Sequence, residues 1–271
     1  MVVLGFTALL SSCAHVAPEC NAHGGTPWLE LTSQHFVVKT NLSQEQARAA
    51  TVQLERARSS VLASFPSSGN VNDPLDVVVF TTPAQLQDVT GDPLMEAQLA
   101  HDWRGSLLLT ASSNSFLDEN QLRRTLHELA HHYSARALKR FPRWFEEGLA
   151  IYVETIAIDE AKQTATRGAA HQIKLGEVMK WGILPVKSLW AWDVEPDPHS
   201  GVEQHRAASA WFWVHFLFNE HKGALDRFMR SLAEGEEPRE AWAVAFGTLS
   251  EQKMSEEADA YIVKQQARSR A

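Results

Sequence analysis

The spacing of hydrophobic residues changes near residue 120 of this 271-residue chain, and the change constrains the fold more than any other feature. Before it, short runs of apolar residues, rich in β-branched and aromatic types in the first two, are typical of strands and run from His35 to Thr40, Leu75 to Phe80 and Gly105 to Thr110. Beyond it, apolar residues recur at helical spacing. Strands followed by helices favour an α+β fold. We therefore predict a small, mostly antiparallel sheet beside a mainly helical C-terminal half, with the functional site where the two meet.

Seven segments have helical periodicity, one before this change and six after it. The first follows Ser43, a residue type that often caps helices, and ends at Phe65-Pro66. The predicted helices are Gln44 to Phe65, Gln121 to Lys139, Trp144 to Glu160, Gln204 to His221, Ala224 to Ala233, Pro238 to Phe246 and Ser250 to Arg268.

The N-terminal residues indicate export. A short apolar run over 1–12 is too short to span a bilayer and is typical of a signal peptide. The segment Leu10-Ser11-Ser12-Cys13 resembles the bacterial lipobox, although no Lys or Arg precedes the apolar run. This resemblance implies a membrane lipid anchor on Cys13. The alternative is an unlipidated secreted chain with a disulfide between Cys13 and Cys20.

Both alternatives place the folded part outside the cytoplasm. We expect a bacterial membrane-anchored lipoprotein, facing the periplasm or the cell surface. Residues 13–27 are predicted to be a flexible tether, because Pro and Gly recur there, and 28–271 to be one folded domain. The formal charge of −8, without any run of Lys and Arg, argues against a nucleic-acid partner.

One predicted helix carries the residues His127-Glu128-Leu129-Ala130-His131. Side chains four apart project from the same helix face, so the two imidazoles can share one ion. A hydrolytic zinc takes three protein ligands and keeps one position for a water, whose pKa it lowers. Glu128 is placed to accept a proton from that water. The alternative is a solvated helix face with no metal.

A third ligand decides between these alternatives. The next predicted helix follows a turn at Pro142 and carries Glu147, fifteen residues beyond His131. A short connection between antiparallel helices would return Glu147 to the first helix. Glu146 competes for the ligand role. Gly148 and its neighbour Ala150 are small enough to let this helix pack closely.

These motifs resemble those of a known family. His127-Glu128-x-x-His131 followed by Pro142-x-Trp144-x-x-Glu147-Gly148-x-Ala150-x-Tyr152 is similar to the gluzincin metallopeptidases, particularly the compact peptidase MA-like domains of bacterial envelope proteins. The resemblance implies a zincin-like (thermolysin-like) fold, Zn²⁺ as cofactor and Glu147 as third ligand. It also implies that the strand at Leu107 to Thr110 is the edge strand that binds extended substrate.

Other polar residues are assigned more weakly. Glu154 either accepts a hydrogen bond from a ligand imidazole or is a surface carboxylate. Where the family has a Tyr that stabilises the oxyanion, this chain has Ala207, so His205 is our catalytic candidate beside Glu128.

Three further side chains are predicted to be structural: His215, Tyr133 and Tyr152 pack in the core. His132 faces away from the metal and is expected to be solvated.

The function that these residues predict is that of a zinc-dependent peptidase of the bacterial cell envelope, which hydrolyses peptide or protein substrates with a metal-activated water. One alternative is a non-catalytic lipoprotein of the same fold that acts as a binding or assembly module. The other is a structural domain without metal.

Overall fold

The computed structural model describes residues 27–66, 71, 73–102, 105–112, 119–159, 164–192 and 201–269. The predicted signal peptide, Cys13, Cys20 and nearly all of the predicted tether lie outside these residues. The described chain begins with a five-stranded sheet in the order β1-β2-β3-β5-β4. Its strands are β1 (Leu29–Thr32), β2 (Phe36–Thr40), β3 (Leu75–Phe80), β4 (Ala97–Asp102) and β5 (Gly105–Ala111).

The sheet is mixed, so the prediction of a mostly antiparallel sheet is wrong. β2 pairs with β3, and β3 with β5, in parallel, while β1 and β4 pair antiparallel at the two edges. Parallel neighbours need a crossover connection, and a helix usually provides it. Helix α1 (Gln44–Leu62) connects β2 to β3, and α2 (Pro83–Thr90) lies between β3 and β4.

The edge of the sheet next to the helical half is β4. β5 pairs with β3 on one side and β4 on the other, so the expectation that the Leu107 to Thr110 strand is the edge strand is wrong. The sequence of β4, Ala-Gln-Leu-Ala-His-Asp, has no β-branched or aromatic residue except His. Strand propensity therefore gives no signal there.

The remaining chain is mostly helical, which confirms an α+β fold with a small N-terminal sheet. One predicted helix is too long, because it ends at Val153 rather than Glu160 and a short hairpin follows. The elements are α3 (Glu119–Ala137), α4 (Arg143–Val153), β6 (Ala157–Asp159), β7 (Thr164–Thr166), α5 (Gln172–Trp181), α6 (Val186–Leu189), α7 (Gly201–Glu220), α8 (Lys222–Glu234), α9 (Pro238–Phe246) and α10 (Glu251–Ser269). Within the described residues, no helix has the length and apolar character needed to span a membrane.

Helix α7 forms the centre of the helical half, and α4 packs closely against it. A Cβ atom added to Gly148 would lie 2.5 Å from the carbonyl oxygen of Ala210. Ala150, two residues further along α4, is fully buried. The prediction that these small residues allow close packing is confirmed, and this contact fixes the position of α4.

Helix α3 lies between the sheet and α4. The hydroxyls of Thr110 on β5 and Thr125 on α3 are 3.0 Å apart, and both are fully buried. Leu126 and Leu129 pack into the same core as Leu108 of β5. Because this face of α3 is held by the sheet, its neighbouring face is turned toward α4, where the predicted metal ligands lie.

Candidate metal centre

Three side chains that were predicted to bind metal come together between α3 and α4. The Nε2 atoms of His127 and His131 are 3.1 Å apart. A carboxylate oxygen of Glu147 lies 4.0 Å from His131 Nε2, and one ligand atom from each residue falls within a 4.8 Å span. Two nitrogens bound to one tetrahedral zinc at ordinary bond lengths are about 3.3 Å apart. The spacing of the two histidine nitrogens matches a single ion of this size, and the Glu147 oxygen lies somewhat farther out.

Glu146 and Glu147 reach the same imidazole from its two sides. Glu146 Oε1 is 3.0 Å from His131 Nδ1, whereas Glu147 approaches Nε2, the atom that faces His127. Consecutive residues on a helix point about 100° apart, which explains how α4 presents both carboxylates to one ring. Glu147 is thus the member of the donor set, and Glu146 is the partner that orients His131.

Glu154 gives the same kind of support to His127. This residue directly follows α4, and its Oε1 lies 2.8 Å from His127 Nδ1. The predicted hydrogen bond to a ligand imidazole is therefore present. With 4 % relative exposure Glu154 is not a surface carboxylate, so that alternative is wrong.

Positive and donor groups surround the Glu154 carboxylate. His171 Nε2 lies 3.2 Å from Oε2, and the guanidinium groups of Arg123 and Arg124 lie 3.5 Å and 3.7 Å from its two oxygens. Burial alone would raise the pKa of Glu154, but the hydrogen bonds from His127 and His171 and the charge of Arg124 outweigh it. The net result is a lowered pKa, so this carboxylate is a buried anion.

His171 is a contributor that the sequence did not reveal. It is the residue before α5, and its Nδ1 accepts the backbone N–H of Lys174 at 3.3 Å. With Nδ1 as the acceptor, a neutral ring carries its proton on Nε2, which lies 3.2 Å from Glu154 Oε2 and 3.1 Å from Arg123 Nη2. Histidine is not among the residue types that usually cap helices, and 40 residues separate it from His131, so no spacing rule points to it.

The protonation of the two imidazoles fits a cation between them. Each Nδ1 donates its hydrogen to a carboxylate, so in the neutral rings both Nε2 atoms present lone pairs to each other across 3.1 Å. Burial would lower the pKa of His131, but the hydrogen bond to Glu146 and the charges of Glu147 and Glu128 raise it. Lone pairs and excess negative charge are what a divalent metal ion stabilises.

Glu128 connects the metal cluster to the sheet. Its Oε2 accepts the backbone N–H of Leu99 at 2.9 Å. Leu99 lies in the middle of β4 and is paired with Leu108. Since backbone groups of alternate residues face opposite sides of an antiparallel strand, the bonded N–H of Leu99 marks the outer edge of β4. Glu128 therefore lies between that edge and the ligand histidines.

The candidate for oxyanion stabilisation, His205, binds elsewhere. Its Nε2 donates to the carbonyl of Gly182 at 3.0 Å, and its ring packs against Trp181 at the end of α5. Among the described residues, no hydrogen bond or ion pair joins His205 to His127, His131 or Glu147.

The prediction that His132 is solvated is wrong. It is 1 % exposed, and its Nδ1 accepts a hydrogen bond from Arg136 at 3.1 Å. Burial, followed by the charges of Arg136 and His101, lowers the pKa of His132 to about 3. The side chain does face away from the metal, but that side of α3 meets β4 rather than water.

The structural assignments of the other candidates are confirmed. His215 is 1 % exposed, donates from Nε2 to the carbonyl of Gly168 at 3.1 Å, and accepts from the hydroxyl of Tyr261 at 3.0 Å. Tyr133 and Tyr152 are 2 % and 5 % exposed and belong to the main core.

Comparison with known proteins identifies no family. No family model matches the chain, and no curated protein is significantly similar to it.

Proposed function

We propose that this chain is a zinc-dependent peptidase of the gluzincin class, with a thermolysin-like arrangement of sheet and helices. The observation that carries the proposal is the convergence of His127 Nε2, His131 Nε2 and Glu147, with the Nδ1 atom of each histidine on its own carboxylate. A chance cluster of polar side chains would not orient both lone pairs toward one point.

His127, His131 and Glu147 would hold the zinc, and Glu128 would act as general base and acid. When bound, zinc supplies a Lewis acid and lowers the pKa of a water. Glu128 would accept a proton from such a water and would later deliver it to the leaving amine. The backbone N–H of Leu99 donates to one of its carboxylate oxygens, and this hydrogen bond fixes the orientation of the Glu128 side chain.

The substrate would be a peptide or protein segment in extended form. The outer edge of β4 offers the backbone groups of Ala97 and His101 and the carbonyl of Leu99, because these positions alternate with those that bond β5. An added strand along this edge would bring a peptide bond next to Glu128. The expectation of export on a lipid anchor at Cys13 belongs to this proposal, since an envelope peptidase would meet such segments outside the cytoplasm.

Two measurements test the proposal. Purified wild-type protein should bind about one equivalent of zinc, His131→Ala should bind far less, and His221→Ala, a matched change outside the cluster, should bind as the wild type does. Zinc binding that is weak and equal in all three proteins would contradict the proposed metal centre.

Activity is tested separately. Wild-type protein should cleave members of a broad peptide library, Glu128→Gln should not, and Glu240→Gln on an exposed face of α9 should behave as the wild type. Zinc binding without cleavage dependent on Glu128 would instead favour the alternative of a non-catalytic binding or assembly module. The observation that favours this alternative is the hydrogen bond of His205 to Gly182, because it engages the candidate oxyanion donor elsewhere. If His205 is nonetheless catalytic, His205→Ala must lower kcat.

A further inference from the structure

Four residues of α3 form a stripe along β4, at positions 124, 128, 132 and 136. Such positions lie one above another on a helix. Arg124 Nε is 2.7 Å from Glu96 beside the start of β4, and Glu128 bonds Leu99 further along the strand. One more helical turn brings His132 level with His101, because one turn of α3 and two residues of β4 cover similar lengths. The stripe and the strand therefore advance together.

A peptide on the outer edge of β4 would direct alternate side chains toward this stripe. Residues paired directly across an antiparallel or parallel ladder point to the same face of the sheet. Ala97, Leu99 and His101 share a face with their partners Thr110, Leu108 and Ser106. Thr110 touches α3 through Thr125, so this is the face that α3 covers. A peptide residue opposite His101 would thus point its side chain toward His132 and Arg136.

Arg136 presents an oriented positive charge at that place. Its Nη1 donates to His132 Nδ1 at 3.1 Å, which brings the guanidinium back one turn toward Glu128. An arginine can only donate, so His132 is a neutral acceptor here and does not cancel the charge. Arg136 is exposed, and within the described part of the chain no carboxylate is within ion-pair distance of it.

We propose that the outer edge of β4 beside α3 selects an extended peptide with a carboxylate side chain, and that Arg136 binds this carboxylate beside His101. The inference rests on the proposed peptidase function and names its substrate class. The selected side chain belongs to the residue opposite His101, two positions from the residue opposite Leu99. Two residues of an extended strand span about 6.8 Å, similar to the one turn of α3 that separates Glu128 from His132.

The test uses blocked octapeptides that differ only in one residue, Asp, Asn or Lys, placed at each position in turn. Wild-type kcat/KM, corrected with Glu128→Gln, should favour Asp over Asn at one position by about tenfold, the effect of one charge-assisted hydrogen bond. Arg136→Gln should bring this ratio close to one, Arg136→Lys should restore part of it, and Arg136→Glu should favour Lys there. Lys187→Gln is the control: it removes the same charge from α6, where Lys187 pairs with Glu251, and it should leave the ratio of Asp to Asn unchanged.

The inference would be overturned if the wild type prefers Asp at none of the positions, or if the preference survives Arg136→Gln. Either result would leave the peptidase proposal intact. If the wild type cleaves none of the peptides, the peptidase proposal fails for this set, and binding decides the inference by itself. Fluorescence anisotropy of the same labelled peptides should then show tighter binding of the Asp peptide, abolished by Arg136→Gln. Equal binding of the Asp and Asn peptides to the wild type would overturn the inference.

Discussion

The two histidines of the candidate metal site, His127 and His131, are oriented in the same way but in different surroundings. His127 donates to Glu154, which is 4 % exposed and surrounded by His171, Arg123 and Arg124. His131 donates to Glu146, whose side chain is 26 % exposed. A carboxylate inside the protein interacts more strongly with its partners than one that water screens. The difference indicates that the His127 side chain is held more rigidly than the His131 side chain.

Removing the charge of Glu154, the buried carboxylate, should have the largest effect on zinc affinity. Glu154→Gln retains an acceptor for His127 but removes the buried anion that Arg123, Arg124 and His171 share. We expect zinc affinity to fall about a hundredfold, the upper end for a residue that orients a ligand. Competition against a chromophoric chelator measures the change, and circular dichroism checks the fold. A smaller loss than that of Glu146→Gln would reverse the comparison.

A substitution at Gly148 should displace the carboxylates of Glu146 and Glu154 together and destabilise the protein. Gly148→Ala places a Cβ against the backbone of Ala210 and must shift α4, which carries Glu146 and Glu147 and precedes Glu154. We expect a loss of about 2 kcal/mol in the free energy of unfolding, the usual cost of overpacking. Urea denaturation measures it.

Gly176→Ala is the matched control, because a Cβ there meets nothing within 4 Å and Ala is the better helix former. This variant should be as stable as the wild type or more so. Equal stability of the two variants would show that the contact between α4 and α7 is not tight.

The more exposed of the two orienting carboxylates, Glu146, should contribute less to zinc affinity. Glu146→Gln keeps an acceptor at His131 and removes one carboxylate that water already screens, so zinc affinity should fall about tenfold or less. The same chelator competition, with Glu154→Gln alongside, gives the ratio of the two effects. A ratio near one would mean that burial of the carboxylate does not matter.

A third imidazole shows what a histidine does without a carboxylate. Burial lowers the pKa of His215, although its bond to Gly168 acts in the opposite direction. The unfolded chain therefore takes up the proton first, and stability is lost as the pH falls below the unfolded pKa of about 6.5. The loss at pH 6 is less than about 1 kcal/mol.

His215→Gln can keep a neutral donor for Gly168 and an acceptor for Tyr261. Urea midpoints at pH 7.5 and pH 6 should therefore differ less in this variant than in the wild type. An identical difference in both proteins would show that His215 does not titrate on unfolding.

The sequence predicted those parts of the site that depend on local geometry. Helical spacing places His127 beside His131, and a short turn returns Glu147 to them. The mixed order of the sheet was missed, although α1 between two strands already indicated a crossover. β4 was missed because its residues have little strand propensity. The burial of His132 and the bond from His171 depend on elements that meet only in the folded chain, so no local pattern contains them.

The placement of Glu146, Glu147 and Glu154 within and just after one helix has a consequence for folding. His127 and His131 lie together as soon as α3 forms, but the third donor and both orienting carboxylates arrive in one step, when α4 docks on α7 through Gly148. High-affinity metal capture should therefore follow this docking and not precede it. Uptake of zinc during refolding would then report the moment at which the helical half closes.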